Sequence, residues 1–300
     1  MHNLILNILF SSCFILCVKW VQHGKKMDVV TVGCINYIAA AICALPGFFS
    51  STPSPQLTSA IWTGGSMGTC YFVAFFFLIY AIHWVGASNS AAVSRVSLVI
   101  PICAGIWLWG ESPNFFEIIG IGFAFSALLL IGRTPAKSAY GNKQNEKNVV
   151  PPWLIYLVLG IFFLICGASR MLQQTCKQLC DGIADYPAFL LSAFIMAAIP
   201  SLIVLIWRKR KISSGEAIVG ILLGMTNILQ SHYILRSLDA FDGFLVFTIT
   251  STGGLVFTTA VAVFYFKEKL NWQSAVGIGL ASASIVFLQV PFAELLVGST

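Results

Sequence analysis

Arg95 lies deep in an apolar stretch, ASNSAAVSRVSLVIP. It is nine residues into the predicted membrane span 86–109, about 14 Å from the span's start at about 1.5 Å per residue. An unpaired charge at that depth costs a few kcal/mol, so the guanidinium should face the protein interior. It could contact a substrate carboxylate or phosphate. Alternatively, it could be tied to backbone carbonyl groups or snorkel to the membrane surface.

Two polar stripes at helical spacing provide further candidate side chains. Asn227, Gln230 and Ser231 follow i, i+3, i+4 in the middle of the predicted span 216–236, where polar groups face a cavity or a neighbouring helix. A second stripe starts at Arg170 and continues with Gln173, Gln174 and Lys177; it would line a vestibule or mark an emerging interfacial face. The predicted substrate-binding residues are Arg95, Asn227, Gln230, Ser231, Arg170, Gln173, Tyr71 and Asn36.

Unlike Arg95 and the polar stripes, the carboxylates avoid the middle of the spans: all eleven Asp and Glu residues lie at span ends or in loops. A bound cation would therefore find no buried anion, and proton exchange through a buried carboxylate is not expected. The sequence contains no HExxH, GxSxG or GxxxxGK[ST] motif and no Cys/His cluster with zinc spacing. We expect no catalytic residues, no metal and no cofactor, with transport energy coming from gradients or from a partner.

Composition indicates the elements that position these residues. Of 300 residues, 58% are hydrophobic and 9% are charged, and the mean hydropathy is +0.87. A soluble domain is about 25% charged, so the sequence predicts an all-α, multi-pass membrane protein and excludes a disordered chain or a nucleic-acid module. Apolar runs of roughly 20 residues predict ten spans: 4–20, 29–49, 60–82, 86–109, 115–132, 153–173, 186–207, 216–236, 243–266 and 272–290.

An internal repeat divides the chain into two halves of five spans. At a constant offset of 157, Glu111 matches Glu268 and Asn114 matches Asn271. The same offset pairs three glycines of the first half with three of the second: Gly86 with Gly243, Gly120 with Gly277 and Gly122 with Gly279. An odd number of spans per half requires the halves to enter the membrane from opposite sides, as in many transporters. We predict a first five-helix repeat over 1–132, a polar linker over 133–150 and a second repeat over 151–300.

Short motifs in a fixed order resemble the EamA-type proteins of the drug/metabolite transporter superfamily. The first span ends in Lys19, the second carries Asn36-Tyr37, and a Glu-containing turn precedes a Gly-rich span in both halves. The resemblance implies ten helices, a central cavity and movement of a small metabolite or drug.

The leading functional prediction is a secondary transporter, most simply an exporter, of a small anionic or zwitterionic metabolite by alternating access. The alternatives are an importer or antiporter of phosphorylated or nucleotide-sugar-like anions, and a non-transporting membrane receptor or scaffold. The expected partners are a small-molecule substrate and the lipid bilayer, with no nucleic acid; the sequence indicates no oligomeric state.

Loop charges predict the orientation in a plasma or inner membrane. The loops after spans 1, 3, 5, 7 and 9 hold 13 of the 17 Lys and Arg residues; the termini and even-numbered loops hold 3, and Arg95 is the last. Because cytoplasmic loops carry the excess of Lys and Arg, both termini should lie outside the cytoplasm. The family resemblance implies termini inside, and we follow the charge bias because it acts during insertion.

Overall fold

The computed structural model describes residues 2–23, 27–52, 54–85, 87–132, 151–180, 182–264 and 272–289. The predicted linker 133–150 and the repeat residues Gly86, Glu268 and Asn271 lie outside these ranges. The described part of the chain is helical and contains no strand, in agreement with the all-α prediction. Helices suit these apolar segments because a backbone in lipid must satisfy its hydrogen bonds internally.

Eleven helices lie in the described parts of the ten predicted segments. The described helices are α1 His2–His23, α2 Val29–Phe49, α3 Leu57–Val85, α4 Ala87–Val96, α5 Val99–Trp109, α6 Phe115–Gly132, α7 Pro152–Leu179, α8 Tyr186–Arg208, α9 Ser214–Ala240, α10 Gly243–Phe264 and α11 Trp272–Gln289. Within the described ranges, six helices are long and apolar enough to cross a membrane: α2, α3, α7, α8, α9 and α10.

The predicted span 86–109 is two helices rather than one. α4 ends at Val96 and α5 begins at Val99, with a turn at Ser97 and Leu98 between them. Pro101 has no N–H to donate to the Ser97 carbonyl in the α-helical pattern. The tighter bond from Ile100 N to Ser97 O, at 3.1 Å, takes its place. Proline thus breaks the helix just after Arg95.

One compact unit comprises residues 1–73 and 168–246. In this unit α2 packs against α8 and α9, and α1 packs against α9. Small residues allow the close approach: Gly64 and Gly68 of α3 lie on the backbone of α8, and Gly220 and Gly224 of α9 lie on α2. A Cβ on Gly224 would come within 2.7 Å of the Asn36 carbonyl oxygen. The two Gly-x-x-x-Gly motifs are therefore packing devices.

The other compact unit comprises residues 74–167 and 247–300. Its main described contact is between α6 and α11. The ring of Phe287 stacks on Phe116 at 6.5 Å between centroids and meets Phe123 edge-on at 5.5 Å. Gly110 ends α5 in the left-handed conformation, at φ 68°, and Glu111 N donates to Gly105 O at 3.0 Å. Glycine adopts this φ without steric cost.

The unit boundaries fall inside α3, α7 and α10. Each unit therefore contains segments from both halves of the sequence. The division into 1–132 and 151–300 describes the sequence repeat and stays a prediction.

Candidate functional site

A chain of hydrogen bonds through four Asn and Gln residues, the amide chain, links three helices of the unit formed by residues 1–73 and 168–246. Asn7 Nδ2 on α1 donates to the backbone carbonyl oxygen of Gln230 at 2.6 Å. Gln230 Nε2 donates to Asn227 Oδ1 at 3.0 Å, both on α9, and Asn227 Nδ2 donates to Asn36 Oδ1 on α2 at 3.3 Å. From the sequence, the stripe at Asn227 could face either a cavity or a neighbouring helix. In the structure it contacts the neighbouring helix α2.

This amide chain is uncharged; three of its members are buried and Gln230 is partly buried. Asn7, Asn36 and Asn227 are 4%, 3% and 6% exposed. Ser231, the next residue after Gln230, is also buried on α9. Each amide offers both donors and an acceptor, so the group can bind a neutral or zwitterionic polar molecule by hydrogen bonds. Contact with a substrate stays a prediction for these residues.

Tyr71 and Gln173, predicted separately, are brought together in the same unit. Gln173 Nε2 on α7 donates to the Tyr71 hydroxyl on α3 at 3.2 Å. Tyr37 on α2 donates its hydroxyl to the Tyr71 carbonyl oxygen at 3.1 Å. The Tyr71 ring lies 6.3 Å from the Phe194 ring of α8. Four helices therefore meet around Tyr71.

The other polar residues of the α7 stripe are either buried or bonded to a loop. Gln174 is fully buried beside Gly243, where a Cβ would overlap its amide. Lys177 Nζ donates to the Phe241 carbonyl oxygen at 3.1 Å and so ties α7 to the turn between α9 and α10. Arg170 is partly buried one turn before Gln174. The stripe is thus largely turned toward protein rather than emerging as an interfacial face.

Arg95 belongs to the second unit, described above as residues 74–167 and 247–300. It is partly buried and lies in the last turn of α4. The C-terminal carbonyl groups of a helix carry partial negative charge, which stabilises a cation there. The helix end therefore offsets part of the cost of the guanidinium's position in an apolar segment.

An ionic cluster at the α2, α8 and α9 ends was not recognised as a unit in the sequence. The fully buried carboxylate of Glu216 accepts from Asp28 N at 2.8 Å, Ser213 N at 2.9 Å and Arg210 Nη2 at 2.8 Å. Arg208 pairs directly with Asp28. The available signal was Ser213-x-x-Glu216, the pattern of a helix capping box.

Asp28 lies outside the spans, and its pKa is shifted by its neighbours in this cluster. Burial raises its pKa, but the hydrogen bonds from Thr31 and the charge of Arg208 outweigh burial, and the net pKa is lowered. Its carboxylate also caps α2, accepting from Thr31 N at 3.0 Å. Asp28 therefore remains ionised in acid conditions that would protonate an ordinary aspartate.

A second group without a sequence prediction lies around the connection from α7 to α8. Ser54 Oγ donates to Asp185 Oδ1 at 2.6 Å, and the Tyr186 hydroxyl donates to Asp239. Asp185 is 1% exposed. These contacts join the α2–α3 loop to the start of α8, and α8 to the end of α9, on the side of the unit opposite to the Asp28 cluster. No sequence pattern signalled the pairing, because the partners are far apart along the chain.

Six described helices are long and apolar enough to cross a membrane, and the chain is an integral, multi-pass membrane protein. Residues 3–133 match the model of the EamA-like transporter family, so the resemblance noted in the sequence is confirmed over that stretch. The match is consistent with the drug/metabolite transporter superfamily and with a membrane transporter.

Two further comparisons extend over most of the chain. A protein of Haemophilus influenzae, named only as uncharacterized, is 28% identical over 287 residues, covering 91% of this chain and 93% of that protein. A solved structure, titled only as the crystal structure of a protein, aligns with a TM-score of 0.72 at 14% identity, covering 99% of this chain and 97% of that one. The structural likeness concerns the fold alone.

Proposed function

We propose that this protein is a secondary transporter that exports a small polar metabolite, anionic or zwitterionic, by alternating access. The observation that carries the proposal is the amide chain Asn7–Gln230–Asn227–Asn36 joining α1, α9 and α2. Polar groups inside a membrane are costly, and they either join helices or line substrate pathways. The EamA-like transporter match over residues 3–133 supports the same function.

The proposal includes ten spans arranged as two inverted repeats of five. Helix bounds support it: moving α6, 115–132, by the offset of 157 gives 272–289, the bounds of α11. The same offset carries the first residue of α2 to that of α8, and the first residue of α3 to that of α9. It also carries Asp28, which precedes α2, to Asp185, which precedes α8. The equivalence thus extends beyond the short motifs to whole elements.

The orientation with both termini outside the cytoplasm is part of the proposal. Its support is the excess of Lys and Arg in the odd-numbered loops. The pairing of Asp28 with Arg208 and Arg210 supports counting the loops after spans 1 and 7 on one side.

Arg95 is proposed as the contact for the anionic group of the substrate. A carboxylate can accept two parallel hydrogen bonds from a guanidinium, and an ammonium in its place keeps the charge but loses that geometry. Transport should therefore fall partly in Arg95→Lys and more severely in Arg95→Gln. Arg236→Gln is the matched control, because it removes an arginine near the end of α9 that has no proposed substrate role.

The experiment starts with a thermal-shift screen of the purified protein against amino acids, nucleosides, organic anions and organic cations, since a ligand of the folded state raises its melting temperature. Transport of the stabilising compounds is then measured in proteoliposomes for the wild type and the three variants. Anion or zwitterion transport that depends on Arg95 supports the proposal. Robust transport of a quaternary ammonium compound, unchanged in Arg95→Gln, would contradict it.

A further inference from the structure

Two cysteines face each other at the end of α7. Cys176 Sγ donates a hydrogen bond to Cys180 Sγ at 3.3 Å, and Cys180 N donates to Cys176 O at 2.9 Å to close the last turn. Residues four apart in an α-helix have Cα atoms about 6 Å apart, which is within the range that a disulfide spans. The Cβ atoms at this spacing are about 5–6 Å apart, against about 3.8 Å in a disulfide, so bridging the pair requires the last turn of α7 to tighten.

The two thiols differ in access and in acidity. Cys176 is fully buried, whereas Cys180 is partly exposed and follows the last residue of α7. The hydrogen bond from Cys176 lowers the pKa of the Cys180 thiol, although burial opposes the change. A thiolate is the attacking species in disulfide exchange, so Cys180 is placed to react first with a reagent arriving from water.

We propose that Cys176 and Cys180 form a reversible dithiol–disulfide pair, oxidised by a low-molecular-weight disulfide. The Cys180 thiolate attacks one sulfur of the small disulfide and expels one thiolate, which leaves a mixed disulfide on Cys180. Cys176 then loses its proton and attacks Cys180 Sγ, expelling the second small thiolate. The protein loses two electrons and two protons, and the small disulfide becomes two thiols.

Forming the Cys176–Cys180 disulfide changes the end of α7 and the connection to α8. The sulfur atoms must approach from 3.3 Å to about 2.0 Å, which tightens the last turn of α7. From Cys180 the chain continues through the short helical turn Gly182–Ala184 to Asp185 at the start of α8. The disulfide would restrain the connection that holds the Asp185–Ser54 contact.

The sequence provides a direct assay, because trypsin cleaves after Lys177, between the two cysteines. The full-length purified protein is equilibrated in mixtures of reduced and oxidised glutathione, quenched with N-ethylmaleimide and digested without reductant. In the oxidised form the peptide 171–177 should remain linked to the peptide beginning at Gln178, and reductant should separate the two. The linked fraction should rise as the mixture becomes more oxidising.

Two variants make the result decisive. Cys176→Ser should accumulate a glutathione adduct on Cys180, because no second thiol resolves the mixed disulfide. Cys180→Ser should leave Cys176 free for alkylation after denaturation. If Cys176→Ser carries the adduct while the wild type stays alkylated at both cysteines in the same mixture, the proposal is wrong. It is equally wrong if Cys180 forms no adduct in Cys176→Ser.

Discussion

Asn227 is the central residue of the amide chain, because it accepts from Gln230 and donates to Asn36. Substitution of Asn227 by alanine leaves the buried Asn36 acceptor and the partly buried Gln230 donor without this partner. An orphaned buried group costs about 1–3 kcal/mol, whereas a single hydrogen bond between membrane helices averages about 0.6 kcal/mol.

We therefore expect Asn227→Ala to lower the free energy of unfolding by about 1–2 kcal/mol, since two bonds are lost. Denaturant titration in detergent micelles measures the effect. Thr226→Ala is the matched control, because its hydroxyl bonds only to Leu222 and Leu223 of its own helix. Equal destabilisation by both variants would show that the link between α2 and α9 contributes nothing.

The lowered pKa of Asp28 predicts that the stability of the protein depends on pH. Its pKa is lower in the folded protein, so its stabilising contribution is present above the pKa of the unfolded state and is lost as pH falls through the folded-state pKa. Asp28→Asn should be less stable than the wild type at neutral pH, with the gap closing in strong acid. Melting curves across an acid pH series measure it, with the exposed Lys211→Gln as control. A gap that widens on acidification would refute the assigned ion pairing.

At the scale of elements, close helix packing depends on single glycines. A Cβ on Gly68 would overlap the Ala193 carbonyl of α8, whereas a Cβ on Gly65, three residues earlier, first meets Met196 Cγ at 3.5 Å, an ordinary contact. Gly68→Ala should thus force α3 away from α8, while Gly65→Ala should be tolerated.

The expected cost of Gly68→Ala is about 1–3 kcal/mol, the usual range for overpacking. Gly65→Ala should be neutral or slightly stabilising, because alanine favours a helix interior by up to about 1 kcal/mol. Melting temperatures of the two variants in the same detergent compare them directly. Similar values for both would show that the approach of α3 to α8 does not depend on the absence of a side chain at Gly68.

The sequence predicted the helical segments well because apolar length is a local property. The break between α4 and α5 was harder to predict. Pro101 indicated a kink, but the position of the turn at Ser97 and Leu98 depends on which N–H bonds to the Ser97 carbonyl oxygen. Asn7 was missed because its partner lies on α9. Pairing between distant residues depends on packing, which periodicity does not encode.

At the scale of the whole molecule, the orientation is the most direct prediction. A fluorescent reporter that matures only in the cytoplasm should stay dark when fused to the C-terminus and fluoresce when inserted in the 133–150 loop. The reason is the 13 to 3 distribution of Lys and Arg between the two sets of loops. A bright C-terminal fusion with a dark loop insertion would reverse the orientation while leaving the fold intact.

The amide chain has a consequence for bioenergetics. The side chains of Asn7, Asn36, Asn227 and Gln230 neither gain nor lose protons at physiological pH. A ligand recognised by these groups alone should have the same affinity from about pH 5 to pH 8, apart from its own ionisation. Calorimetric titration of a ligand that does not ionise in this interval measures the dependence. A flat profile would mean that acidity on either side of the membrane is not a signal for loading at these groups.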